Sequence, residues 1–126
     1  NLFILDAVPK VKIPAFFNRA SVIISTTKPL KVLWKNSANK FFDAIAARKP
    51  IVINHGGWLA KLIYDNDLGL VLPHDDFSSA AKVLESFLKN ESRIEEVSKN
   101  CFDLASSDFN VNTICKSFVK TIENLR

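Results

Sequence analysis

Between Ser37 and Trp58 the chain reads SANKFFDAIAARKPIVINHGGW, and this stretch gathers the residue types able to do chemistry. Ser37 is a helix-capping type. Asn39 and Lys40 follow in the expected first turn, where backbone N–H groups lack intrahelical partners. A helix start with a cation beside it holds phosphate. Asp43 is the one acid of the stretch and lies one turn further in. A cationic anchor for phosphate and a carboxylate for sugar hydroxyls point together to a nucleotide-sugar site. His55 either reaches a sugar or phosphate or bonds the backbone of its own turn. Gly56 and Gly57 either let backbone approach a ligand closely or serve only the tight turn. Trp58 reads as a packing anchor. Lys28, Lys31 and Lys35, in the preceding loop, are further cations for phosphate charge.

These residues need elements to hold them. The apolar run of residues 1–5 reads as a strand, and 13–20 as a short helix with Pro14 in its first turn. Residues 21–25 are β-branched and apolar, a second strand. Residues 26–38 read as a long loop, of a length that is usually functional. A helix over 39–47 places Phe41, Phe42, Ile45 and Ala46 on one side. Arg48 and Lys49 suit its negative end, and Pro50 stops it. Strands follow at 51–54 and 69–73, with a helix over 58–65 between them. Asp75 or Asp76 caps a helix over 77–89. The helical pattern resumes over 91–106, and Asn110 or Asn112 opens a last helix carrying Ile114, Phe118, Ile122 and Leu125. Strands alternating with helices predict an α/β fold with a parallel sheet flanked by helices. In such sheets ligands sit at the carboxyl ends of the strands. The loops there are 6–12, 26–38, 55–57 and 73–76.

The 126 residues suffice for one domain with its own core. The chain has no Met and starts at Asn1, so it is expected to be a piece of a longer protein. No apolar run approaches the roughly 18 residues of a membrane span. The charge is uneven: residues 1–61 carry ten Lys or Arg against two acids, and residues 62–126 carry seven against eleven. A basic half suits an anionic partner. Cys101 and Cys115 show no metal-ligand spacing and read as core or half-buried thiols.

Residues 37–58 resemble the donor-binding segment of retaining GT-B glycosyltransferases of family 4, the glycosyl transferases group 1. The shared form is S-x-N-K-F-F-D-A-x-A-x-x-K-P-I-x-I-N-x-G-G-W. It is that of a bacterial branch building O-antigen and capsule, which includes the L-fucosamine transferase type. The flanks are similar too. NLFILDAVPKVKIPAFFNRASVII resembles the strand, "VPK" turn and short helix of that branch, and GLVLPHDDFSSAAKVLESFL its next strand and helix. The resemblance is specific over 37–73 and looser elsewhere.

The resemblance implies a Rossmann-like, C-terminal donor-binding domain of a GT-B fold, spanning 1–126 and lacking its first strand and helix. An N-terminal domain would bind the lipid-linked sugar acceptor, so this piece alone is expected not to turn over. Asp43 matches the second acid of the E-x7-E motif, which holds the ribose hydroxyls. Ala38, Asn39 and Lys40 match the helix start that meets the diphosphate. Asp6, Ala7 and Val8 match the loop whose backbone reads the base edge. Lys35 stands where the motif has its first acid, so the sugar-hydroxyl contact passes to Asn36, Ser37 or a residue outside this chain. The implied substrate is a nucleotide-diphosphate sugar, with UDP as the expected nucleotide, and no metal cofactor is expected. The implied place is the cytoplasm, with peripheral contact to the inner face of the cytoplasmic membrane left open. Lower-ranked readings are another GT-B enzyme, such as a nucleotide-sugar epimerase, and a non-catalytic anion-binding module. Nucleic acid is not an expected partner, because no strand carries a basic–aromatic stripe.

Overall fold

The computed structural model describes residues 2–28 and 30–125 of this chain. Its centre is a three-stranded parallel sheet in the order β1 (Ile23–Ser25), β2 (Ile51–Ile53), β3 (Gly69–Val71). Ile51 pairs with Ile23 on one side and with Gly69 on the other. The middle strand is buried along its whole length, which is why it reads as an unbroken β-branched run. The crossover from β1 to β2 carries α2 (Asn39–Ala46), and that from β2 to β3 carries α3 (Trp58–Asn66). Ahead of the sheet a 3₁₀ turn (Lys10–Lys12) leads into α1 (Ile13–Arg19). After it come α4 (Phe77–Leu88), α5 (Glu91–Ser106) and α6 (Val111–Glu123). The chain is thus α/β with a small open parallel sheet.

The core forms where α2, α3 and α5 lay their apolar faces on the sheet. Phe41, Ala44 and Ile45 of α2 meet Leu59 and Ile63 of α3 and Val97 and Cys101 of α5 in one cluster. Of the predicted side, Phe41 and Ile45 are buried and Phe42 packs partly against the core, but Ala44 is buried in place of Ala46, which is exposed. Helix α2 closes on Arg48, which takes a left-handed conformation (φ 58°). Lys49 N–H then donates to Ala44 O at 2.9 Å and Arg48 N–H to Ile45 O at 3.1 Å. Asp67 ends α3 in the same conformation and accepts from Arg93 of α5, while Asn100 donates to its carbonyl at 3.2 Å.

Several sequence expectations need correction. Among the described residues three strands form, not four. Leu2 to Leu5 are unpaired and 65–90% exposed, since an apolar run becomes a strand only beside a pairing partner. Asn1, the first residue of that expected strand, lies outside the described residues, as does Pro29 of the 26–38 loop. That loop is not wholly irregular: Lys31–Lys35 forms a 3₁₀ turn. Strand β2 stops at Ile53, and the side chain of the next residue, Asn54, bonds the Thr27 backbone. Strand β3 stops at Val71; Leu72 N–H still reaches Ile53 O at 2.7 Å, and Pro73 has no N–H to continue. Asp76 is the N-cap of α4 and Asn110 that of α6. Cys115 is exposed, not half-buried, because α6 buries none of its residues.

Candidate functional site

The carboxyl ends of β1 and β2 are tied together by one side chain. Asn54 Oδ1 accepts from Thr27 N–H at 2.9 Å, and its Nδ2 donates to Thr27 O at 3.0 Å. This pair of hydrogen bonds fixes the start of the loop that carries Lys28, Lys31, Trp34 and Lys35 towards α2. The loop then folds Trp34 against the turn after β2. A Cβ on Gly57 would lie 2.4 Å from Trp34 O, and its φ is 93°. A Cβ on Gly56 would lie 2.9 Å from the Trp34 ring. The two glycines are therefore required by the approach of Trp34. Trp34 Nε1 and Thr27 Oγ1 are buried and have no hydrogen-bond partner among the described residues.

His55 is 5% exposed, and its Nδ1 stands 2.8 Å from Gly56 O. A carbonyl only accepts, so Nδ1 is the donor of this bond. The bond to the backbone of its own turn, one of its two sequence readings, is present.

Helix α2 starts at Asn39 with Ala38 as N-cap, and no side chain caps it. Ser37, expected to cap, is exposed and one residue too early, so its hydroxyl serves no first-turn N–H. Ala38 packs on the core and thereby fixes where the helix begins. Asn39 and Lys40 follow it, both exposed, and Lys35 is exposed at the end of the 3₁₀ turn.

Asp43 lies one turn into α2 on its solvent side. Among the described residues it enters no salt bridge. It lines a cleft of about 410 Å³ between α1 and α2. The other polar residues of the cleft are Lys10 and Asn18, at either end of the α1 segment. Ile13, Pro14 and Phe17 give one apolar wall, and Ala46 with Ala47 the other. A carboxylate, an ammonium and an amide around an apolar slot can bind a planar, hydroxylated organic ligand.

The structure gathers only part of the predicted set. Asp43 joins the cleft. Lys40, Asn39 and Ala38 belong to the same helix but not to the cleft lining, and Asp6, Ala7 and Val8 lie outside the lining as well, in the chain leading to Lys10. His55, Gly56 and Gly57 belong to the Trp34 turn. Sequence reasoning did not name Lys10 or Asn18 as site residues, although Lys10 closes the "VPK" turn and Asn18 lies in the short helix that follows. The available signal was their place on the loop and helix after Val8, within a segment already expected at the ligand edge.

No family model, curated protein or solved structure matches the chain. Among the described residues no helix is long and apolar enough to cross a membrane.

Proposed function

We propose that this chain binds the nucleotide-sugar donor of a retaining glycosyltransferase of the GT-B kind, as its C-terminal domain, in the building of bacterial surface polysaccharide. The observation that carries the reading is Asp43, a carboxylate that enters no salt bridge among the described residues and lines a cleft with apolar walls, one turn inside a helix whose N-cap, Ala38, makes no side-chain cap bond. The resemblance of residues 37–58 adds to it. In this reading the nucleoside lies in the cleft with its ribose hydroxyls on Asp43. The diphosphate runs to the first turn of α2, where backbone N–H groups and Lys40 meet it. As the sugar–phosphate bond breaks, charge grows on the departing nucleoside diphosphate and the sugar becomes oxocarbenium-like. A fixed helix start and a nearby ammonium stabilise that charge without reorganising. The acceptor, lipid-linked in this proposal, is bound by a separate N-terminal domain. The proposed setting is the cytoplasmic face of the membrane.

An amide NMR titration with nucleoside diphosphates and inorganic phosphate tests this. Shifts at Ala38 to Asp43 and at Lys10 to Asn18 are expected with a nucleotide. Asp43→Ala should weaken nucleotide binding by about tenfold or more, the worth of a charge-assisted hydrogen bond. Nucleotide affinity that Asp43→Ala leaves unchanged would sink the ribose assignment.

A further inference from the structure

We propose that the loop from Lys28 to Lys35 docks on a bilayer surface bearing anionic phospholipid headgroups; the inference uses residues that the donor-site reading leaves free and stands apart from it. Between Asp6 and Asp43 the sequence holds seven Lys or Arg and no acid. Three of these cations, Lys28, Lys31 and Lys35, lie on this one loop. All three are exposed, and none enters a salt bridge among the described residues. Leu30 and Val32 stand between them, 52% and 74% exposed. Exposed aliphatic side chains among lysines have the composition of an interfacial segment. The apolar groups enter the acyl boundary, and the ammonium groups stay with the headgroup phosphates.

The loop is held at both ends. The Asn54 side chain grips Thr27 at its start, and Trp34 rests on Gly56 and Gly57 near its end. Val32 and Lys35 are three apart in the 3₁₀ turn and so share one side of it. Leu33 N–H donates to Leu30 O at 2.9 Å and Asn36 N–H to Leu33 O at 3.0 Å. These donors therefore bring no unpaired N–H into the interface. Each lysine near an anionic surface strengthens binding roughly fivefold, so three supply on the order of a hundredfold. Other anionic partners fit less well. A soluble phosphate gains nothing from Leu30 and Val32. A single-stranded nucleic acid needs an aromatic platform, and the one aromatic of the loop, Trp34, is packed on the two glycines.

The test is co-sedimentation of the chain with vesicles of phosphatidylcholine alone and of phosphatidylcholine mixed with phosphatidylglycerol. The mixed vesicles are expected to bind it about tenfold or more tightly, and less so as salt is raised. Two variants divide the surface. One carries Lys28→Gln, Lys31→Gln and Lys35→Gln, and the other Leu30→Ser and Val32→Ser. Each should weaken binding to the mixed vesicles by about tenfold or more. All five residues are exposed or stand outside the core cluster, so thermal unfolding should not move. Full binding by both variants puts the contact on another face, such as the exposed Ile114, Phe118 and Ile122 of α6, and overturns the proposal. Binding lost with the lysines but kept with the serines is adsorption by charge alone and overturns the docking face. An oligonucleotide that binds as tightly as the mixed vesicles and strips the chain from them overturns it too. Absence of binding to the mixed vesicles at low salt does so without any variant. Neither variant touches Asp43, Lys40 or the cleft, so this test and the nucleotide titration succeed or fail separately.

Discussion

Cys101 shows how the interior treats a titratable side chain. It is fully buried on α5, with its Sγ 3.5 Å from Leu68 O and 3.6 Å from Lys49 O. Burial, and then the charge of Asp67, push the thiol up to about 12 from 9.0. The folded thiol stays neutral where the unfolded chain has ionised. Its contribution to stability is therefore full below about pH 9 and is lost as pH rises towards about 12. The slope is roughly 1.4 kcal/mol per pH unit inside that window. Urea unfolding at pH 8 and pH 11 should show a smaller alkaline loss for Cys101→Ala than for the parent. A thiol reagent should modify exposed Cys115 quickly and Cys101 only on unfolding. Equal labelling rates for the two thiols would contradict the buried placement. Arg93 is the opposite case. Its hydrogen bond to Asp67, then that to Glu96, raise its pKa, but the pair is partly exposed and adds little stability.

At the scale of elements, the ligand edge depends on one amide. Asn54 holds the Thr27 backbone through both its donor and its acceptor, joining the ends of β1 and β2. Asn54→Ala leaves a part-buried N–H and C=O without partners, at a cost of about 1–3 kcal/mol. It should also loosen the loop that sets Trp34 against Gly56 and Gly57 and so places the start of α2. Chemical denaturation gives the first effect, and amide hydrogen exchange of residues 27–38 gives the second. A variant with unchanged exchange there would show that the Trp34 turn holds the loop by itself.

At the scale of the molecule, burial is concentrated in one part of the chain. The sheet with α2, α3 and α5 contains nearly all the buried side chains, whereas α6 contributes none. Phe109, just before it, packs on Phe42 with ring centroids 5.3 Å apart and marks where the packed part ends. Removing residues 111–126 should therefore change unfolding free energy by less than about 1 kcal/mol, as expected of surface changes. A large loss of stability would mean that α6 packs in solution. The basic half, residues 1–61, includes both Lys10 and Lys40.

The sequence by itself determined most of the elements, because their signals are local. The apolar runs at 21–25 and 51–54, the stop at Pro50, a cap at Asp75 or Asp76 and at Asn110 or Asn112, and the 97, 101, 104 spacing of α5 each need only a few neighbouring residues to be read; the structure trims the runs to 23–25 and 51–53 and selects Asp76 and Asn110. Parallel strands followed from the alternation with helices, and Asp43 was legible as a solvent-side acid near a helix start. Tertiary structure decided the rest. Leu2 to Leu5 have strand composition but no partner, which composition cannot reveal. Ser37 has the chemistry of a cap but lies one residue early, because core packing of Ala38 sets where α2 begins. The roles of Gly56 and Gly57 became clear only when Trp34, more than twenty residues earlier, came to rest on them. Lys10 and Asn18 share a cleft with Asp43 because the chain folds α1 beside α2. They lie 33 and 25 residues from it in sequence, and such a meeting leaves no periodic or spacing signal to read.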